Sequence, residues 1–186
     1  LLQQARAEQT PGPTTWTPLN LTELVAKAHE DLQVLGRENA LAVDLETTTL
    51  PIWVMGDEPR LRQALFILGD NACRYSRPGG RVTVSLRRDD PFAILLLRDQ
   101  GIGILQRDLT RIFDRHFRGQ NARHHCADGQ GLGLAMAKAI TEQQGGSITV
   151  SSRQNEGSTF TVRLPLANLP DLTPADESFS TESLQH

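Results

Sequence analysis

The chain has 186 residues, of which 38% are hydrophobic and 22% charged, and its formal net charge at pH 7 is −3. This composition is typical of a globular domain with a single core and excludes a wholly disordered chain. The longest apolar run covers residues 92–97, far short of the roughly 20 residues of a membrane span, and the net charge argues against nucleic acid as a partner. Two cysteines, Cys73 and Cys126, cannot build a disulfide framework or a zinc site alone, so a cytoplasmic setting is expected.

Composition divides the chain into four parts. Residues 1–8 resemble the end of a helix, and residues 9–16, rich in Thr, Pro and Gly, predict a linker. Residues 17–166 carry the periodic patterns of a folded domain. Residues 167–186 hold acidic side chains but no Lys or Arg and are rich in Ser, Thr and Pro, which predicts a disordered acidic tail. The chain begins with Leu1 and lacks a signal-peptide pattern, so we interpret it as part of a longer protein.

The folded part predicts helices and strands without strict βαβ alternation. Asn20 is a good cap for the first helix, with Glu23 three residues on. In chain order we expect a helix over 20–38, strands over 41–45 and 52–55, a helix over 58–75, a strand over 82–86, a central strand over 92–98, a short helix over 104–113, a mobile loop over 118–130, a helix over 132–143, and strands over 147–151 and 159–164. This order favours an α+β fold, a two-layer sandwich of helices on a sheet.

Asp99-Gln100-Gly101-Ile102-Gly103 follows the predicted central strand directly. Glycines at the end of a strand allow the backbone to approach a ligand closely. A turn that only ends the strand has the same pattern, so the motif by itself is a modest signal.

A second glycine-rich motif, Gly129-Gln130-Gly131-Leu132-Gly133-Leu134, leads from the predicted loop into a helix. The free N–H groups at a helix start and the positive end of its dipole favour a phosphate. It is neither a Rossmann fingerprint, because it follows a loop, nor a Walker A loop, because no Gly-Lys-Ser/Thr follows. Glycines that serve only close packing remain the alternative.

The third motif, Asp70-Asn71-Ala72-Cys73-Arg74-Tyr75-Ser76, lies on the predicted helix over 58–75. Asn71 stands among core leucines and needs a polar partner. That partner is either a neighbouring protein group, the ordinary case for a helical asparagine, or a Mg²⁺ ion beside phosphates.

In this order and spacing, the motifs resemble the catalytic, ATP-binding domain of bacterial sensor histidine kinases, within the superfamily of gyrase, heat-shock-chaperone and mismatch-repair ATPases. The resemblance covers about residues 17–166. Five blocks match: the N box over 61–76, the G1 box over 99–103, the F box over 112–118, the G2 box over 129–134, and the closing glycine motif and strand over 156–165. It implies a Bergerat-type ATP-binding fold, with a mixed sheet of about five strands and three main helices.

The resemblance also implies roles for individual residues, and ATP with Mg²⁺ as the bound species. By this resemblance Asn71 would ligate Mg²⁺, Arg74 would meet phosphate in a place where Lys is usual, and Asp99 would accept from the adenine amino group. The loop over 118–130 would be the ATP lid. The remaining nucleotide-binding positions would be Tyr75, Gly101, Gly103, Gly129, Gly131, Leu132, Gly133, Leu134 and Thr159.

Two positions depart from the family pattern. Ile67 stands four residues before Asn71, where the family commonly has Asn or His and the related ATPases have a general-base Glu. Isoleucine can neither position a water nor touch a metal, which argues against a gyrase-like ATPase. His116 occupies the place of the second aromatic residue of the F box, although Phe117 follows at once, so the packing of the lid is expected to differ.

Three histidines, His29, His124 and His125, are candidate functional groups. His29, followed by Glu30, superficially resembles a phosphoacceptor, but it lies after the linker within the ATP-binding domain. His124, His125 and Cys126 are candidate metal ligands, although adjacent residues rarely chelate alone. By the resemblance, residues 1–8 end the second helix of a dimerisation hairpin, and the phosphoacceptor histidine lies upstream of this chain.

The leading hypothesis is therefore a histidine kinase catalytic domain that transfers the ATP γ-phosphoryl group to that histidine, for passage to a response regulator. The alternatives are a degenerate, non-catalytic nucleotide-binding module, which Ile67 motivates, and an anti-sigma-type serine kinase. We expect this chain to be monomeric, its parent to be a homodimer that is cytoplasmic or anchored to a membrane, and nucleic acid to be no partner.

Overall fold

The computed structural model describes residues 16–126 and 129–168. The predictions for residues 1–8, for most of the linker and for the tail beyond residue 168 lie outside these ranges. The strands and helices are β1 (Thr17–Asn20), α1 (Leu21–Glu38), β2 (Ala42–Thr47), β3 (Trp53–Gly56), α2 (Glu58–Tyr75), β4 (Arg81–Asp89), β5 (Phe92–Asp99), α3 (Gln120–His125), α4 (Gly133–Gln143), β6 (Ser147–Arg153) and β7 (Gly157–Pro165). No helix in the described ranges is long and apolar enough to cross a membrane.

Five strands form one mixed sheet in the order β2-β4-β5-β7-β6. The pair β2 and β4 is parallel and the other neighbours are antiparallel. The predicted central strand, β5, is the middle strand, and almost every second residue of β4 and β7 is buried. This confirms the α+β fold and the mixed sheet of about five strands.

Helices α1, α2 and α4 cover one face of the sheet, and the core lies between these two layers. Asn20 caps α1 through the backbone N–H of Glu23, and Asp57 caps α2 through that of Arg60, so both helices begin where the sequence predicts. A side chain at Gly69 would collide with Leu32, which shows how closely α1 and α2 pack. Close packing of α2 turns its opposite side, with Asn71 and Tyr75, toward the site described below.

Three local predictions were wrong or incomplete. The segment 104–113 is a series of tight turns with one 3-10 turn at Gln106–Asp108, because its backbone hydrogen bonds span three residues rather than four. The predicted loop over 118–130 contains the six-residue α3, which buries none of its residues and therefore has no apolar periodicity. Strand β1 was not predicted, since only its pairing with β3 in a second, two-stranded sheet defines it.

Candidate functional site

A cleft opens at the end of β5, between α2 and the start of α4. Its cavity volume is about 380 Å³, within the range of about 300–1,000 Å³ typical of small-molecule pockets. The segment from Ile102 to Ala122 and the residues 129–134 supply the remaining walls. Eleven of the twelve predicted site residues line this cleft or form its backbone floor, although they come from three separate segments of the chain.

Asp99 stands at the floor of the cleft and is only 5% exposed. Its Oδ1 accepts hydrogen bonds from the backbone N–H groups of Gly101, at 2.9 Å, and Ser158, at 3.1 Å. Burial raises the pKa of Asp99 to about 6, and the hydrogen bonds from Gly101 and Ser158 act in the opposite direction. The result is a fixed, desolvated acceptor that can recognise a hydrogen-bond donor such as an exocyclic amine.

Gly101 and Gly103 are required by close backbone contacts. A Cβ at Gly101 would collide with the carbonyl oxygen of Tyr75, the last residue of α2. The residue after it, Ser76, forms a β-bridge with Gly101. Gly103 has a φ of +64°, and a Cβ there would collide with the carbonyl of Arg153. The N–H of Ile102 donates to the Tyr75 carbonyl at 3.0 Å, which ties this turn to the end of α2.

Helix α2 contributes Asn71, Arg74 and Tyr75 to the cleft wall. The carboxylate of Asp70 lies 3.2 Å from Arg74, one helical turn away, and holds the guanidinium at the rim. The Asn71 side chain makes no hydrogen bond to any residue in the described ranges, so its amide group is available to a ligand. Its carbonyl oxygen is a hard donor of the kind that Mg²⁺ accepts.

The first turn of α4 faces Asn71 across the cleft. A Cβ built on Gly133 would lie 3.2 Å from Ile67 Cγ2 and 3.9 Å from Asn71 Nδ2. Leu132 precedes the helix and provides no side-chain cap, so the N–H groups of the first turn are free of a capping side chain. Gly131 has a φ of +69°, and its carbonyl accepts a 2.9 Å hydrogen bond from the backbone N–H of His116. This helix start can bind an anion.

The F box packs beneath the cleft. Phe113 packs against Phe160 edge to face, with the ring centroids 6.5 Å apart. Phe117 lines the cleft, and the guanidinium carbon of Arg111 lies 4.4 Å from the centroid of its ring. His116 is exposed and adopts a φ of +62°. The substitution at position 116 therefore leaves Phe117 to fill the aromatic place in the cleft wall.

Helix α3 lies across one side of the cleft. Asn121 Nδ2 donates to the Gly103 carbonyl at 2.7 Å, and the ring of His125 lies 6.1 Å from that of Tyr75. Arg118 donates to the carbonyl of Gly129 at 3.1 Å and so connects the two ends of the segment 118–130.

Within the described ranges, no group of three His, Cys, Asp or Glu residues could hold a metal, so His124, His125 and Cys126 form no such site there.

Thr159 is the exception among the predicted residues. It lies opposite Arg98 and Ser151 in the sheet, and its side chain is on the face that points away from the cleft. The structure therefore places Thr159 outside the lining of this cleft, and Ser158, which the sequence patterns did not single out, lines it and contacts Asp99. The alternation of strand residues was the available signal, because Ser158 shares its face with the buried Phe160.

Comparisons with known proteins agree with this architecture. A family profile described as "Histidine kinase-, DNA gyrase B-, and HSP90-like ATPase" matches residues 56–168. The chain is 33% identical over 170 residues to the sensor histidine kinase RppB of Synechocystis sp., covering 91% of this chain and 37% of RppB. It is 43% identical over 112 residues to the sensor-like histidine kinase SenX3 of Mycobacterium tuberculosis, covering 60% of this chain and 27% of SenX3.

Solved structures show the same fold. The mycobacterial sensor histidine kinase MprB superposes with a TM-score of 0.69 at 33% identity, over 81% of this chain and 97% of that one. Full-length ShkA, solved in complex with AMPPNP, superposes with a TM-score of 0.72 at 23% identity, over 83% of this chain and 32% of that one. The chain spans about a third of the length of the curated relatives it matches. It belongs to the family of histidine kinase-, DNA gyrase B- and HSP90-like ATPases, as an ATP-binding catalytic domain of the sensor histidine kinase type.

Proposed function

We propose that this domain binds ATP with Mg²⁺ and transfers the γ-phosphoryl group to a histidine on a dimerisation hairpin outside this chain. The observation that carries the proposal is a cleft with a buried, fixed acceptor at one end, Asp99, and an uncapped helix start at the other, Gly133. Adenine presents a donor and the phosphates present anions, so ATP matches both ends of the cleft.

Each end would act by positioning. Asp99 would accept from the adenine amino group, and the N–H groups at 131–133 with Arg74 would hold the phosphates. Asn71 would hold Mg²⁺, which would neutralise charge on the phosphates when bound. Phe117 and Ile67 line the cleft with apolar surface and would exclude water from the bound phosphates.

In the transfer step, the bond between the γ-phosphorus and the bridging oxygen breaks, and a phosphorus–nitrogen bond to the imidazole forms. ADP leaves and the imidazole loses its proton to solvent. The nucleophile belongs to the acceptor histidine, so the domain needs no strong base to activate water, and catalysis consists of positioning and charge neutralisation. An apolar Ile67 is compatible with this chemistry.

We propose that the parent protein is a homodimer acting in the cytoplasm, free or anchored to a membrane, and that it passes the phosphoryl group to an aspartate of a response regulator. An anti-sigma-type serine kinase is not favoured, because the relatives in the comparison are named sensor histidine kinases. A degenerate nucleotide-binding module is the second candidate, and Ile67 beside Asn71 is the observation in its favour.

The test combines binding and transfer. Calorimetry with ATP, ADP and GTP should show adenine nucleotides bound more tightly than GTP, since the guanine carbonyl oxygen would face the Asp99 acceptor at a cost of about 1–3 kcal/mol. Labelled ATP and a hairpin carrying the acceptor histidine should then give a phosphorylated hairpin, with Asn71→Ala as the inactive control. Binding without transfer would favour the degenerate module, and equal affinities for ATP and GTP would remove Asp99 from its role.

A further inference from the structure

A second carboxylate, that of Asp108, lies in the wall of the same cleft. Its Oδ2 is buried and has no hydrogen-bond partner among the residues that the structure describes, and the side chain as a whole is 13% exposed. A buried carboxylate oxygen without a donor is costly, so a fold that keeps one in a ligand cleft points to a donor supplied by the ligand.

The backbone holds Asp108 rigidly in this place. Its N–H donates to the Leu105 carbonyl at 2.8 Å, and its carbonyl accepts from the N–H of Arg111 at 2.9 Å. The exposed Arg107 pairs with the other carboxylate oxygen, with its Nε 4.0 Å from Oδ1. The ion pair with Arg107 therefore involves Oδ1 and does not occupy Oδ2.

Oδ2 lies beside Gly119, at the start of α3. A Cβ on Gly119 would lie 2.7 Å from Asp108 Oδ2 and 3.2 Å from Asn121 Oδ1, so the two side chains converge on that glycine. Asn121 in turn donates to the carbonyl of Gly103 at 2.7 Å. Asn121 therefore contacts the G1 turn on one side, and on the other its Oδ1 lies close to the same point beside Gly119 as Asp108 Oδ2.

The chemistry of ATP selects the group that Asp108 can bind. At neutral pH its phosphates only accept hydrogen bonds and would be repelled by a carboxylate. Its donors are the adenine amino group, which the proposed function assigns to Asp99, and the two ribose hydroxyls. A carboxylate that accepts from a ribose hydroxyl is an established mode of nucleotide recognition in unrelated folds.

We propose, building on the proposed function, that Asp108 is a specificity-determining residue that accepts a hydrogen bond from the ribose 2′- or 3′-hydroxyl of the bound nucleotide. Gly119 is the matching feature of the lid, because a side chain there would occupy the space beside Oδ2. Asn121 holds α3 against the G1 turn through its hydrogen bond to the Gly103 carbonyl.

The first test uses the unaltered chain, so it does not depend on any variant folding. Calorimetric titrations compare ATP with 2′-deoxy-ATP and 3′-deoxy-ATP, each with and without Mg²⁺. One deoxy analogue should bind about tenfold more weakly than ATP, the loss expected when a buried acceptor stays unpaired. The discrimination should be the same without Mg²⁺. Equal binding of the three nucleotides, or discrimination only with Mg²⁺, would overturn the proposal.

The second test locates the effect. Asp108→Ala should weaken ATP binding about tenfold and leave the affinity for the discriminated analogue unchanged, with Asp108→Asn intermediate. Asp114→Asn, which removes an exposed carboxylate paired with Arg111, is the matched control and should keep the discrimination. Discrimination that persists in Asp108→Ala contradicts the assignment. If ATP binds but the hydroxyls do not matter, only this inference fails; if ATP does not bind, the proposed function fails with it.

Discussion

The backbone N–H of Ser158 donates a 3.1 Å hydrogen bond to the buried carboxylate of Asp99, across 59 residues of sequence. This bond joins the start of β7 to the end of β5 at the floor of the cleft. Together with the bond from Gly101, it fixes the orientation of a group whose pKa burial raises to about 6. Several predictions about binding and stability depend on this one carboxylate.

The affinity for ATP should fall as the pH drops through about 6, because protonated Asp99 donates a hydrogen bond where the adenine amine needs an acceptor. Asp99→Asn should bind ATP weakly, with no such pH dependence over this range. Calorimetry between pH 5 and 8, roughly spanning the titration of the group, measures both. Affinity that is constant over this range in the unaltered chain would contradict the role of Asp99.

The same carboxylate should affect folding stability with a definite sign. Its pKa in the folded state lies above the ordinary value of 3.8 for an aspartate, so between these two pH values the folded state binds more protons than the unfolded state. The stabilising contribution is present below pH 3.8 and lost as the pH rises through about 6, by about 3 kcal/mol in total. Urea unfolding at several pH values should show this fall in the unaltered chain relative to Asp99→Asn.

Ser158 and Thr159 offer an adjacent pair on opposite faces of β7. Ser158→Ala removes a side-chain hydrogen bond that lowers the pKa of Asp99, so the pKa should rise further and the ATP affinity should fall about fivefold at neutral pH. Thr159→Ala should leave the affinity unchanged. Calorimetry on both variants decides between the two positions, and a larger loss for Thr159→Ala would show that the nucleotide lies elsewhere.

The purified domain should hydrolyse ATP very slowly. Ile67 is apolar, lies beside Gly133 and Asn71, and offers no group that can activate water. A phosphate-release assay with and without Asn71→Ala measures this. Rapid turnover that is lost in Asn71→Ala would be incompatible with a site that relies on an external histidine as its nucleophile.

The segment 120–126 should become more protected from hydrogen exchange when ATP binds. Helix α3 buries none of its residues and is held by polar contacts such as that between Asn121 and Gly103, so its opening should cost little free energy in the empty protein. ATP should add contacts through Arg118 and the N–H groups at 131–133. Full protection of 120–126 without nucleotide would show that this segment is not a nucleotide-responsive lid.

The chain should be monomeric in solution. The exposed large apolar side chains of the described ranges are Trp16, Val34, Leu50, Phe66 and Met136, and they come from separate segments rather than from one stripe. Light scattering on the purified chain tests this, and a stable dimer would reveal an interface outside the contacts described above.

Local patterns in the sequence determined α1, α2, α4 and the central strand, because burial on one face of a helix or strand repeats with a fixed period. The glycines at 101, 103, 131 and 133 also indicated where the backbone must approach a ligand. The order of these motifs was enough to indicate the family. The segment 104–113 was misjudged, since apolar residues in consecutive tight turns imitate a short helix.

Only the tertiary structure decided which groups meet in the cleft. It placed Ser158 rather than Thr159 beside Asp99, raised the pKa of that carboxylate, and buried Asp108 Oδ2 with no donor from the described part of the chain. These properties arise from desolvation and from hydrogen bonds between segments far apart in the chain. A local pattern reports the geometry of its own residues, whereas burial and long-range partners depend on how the whole domain packs.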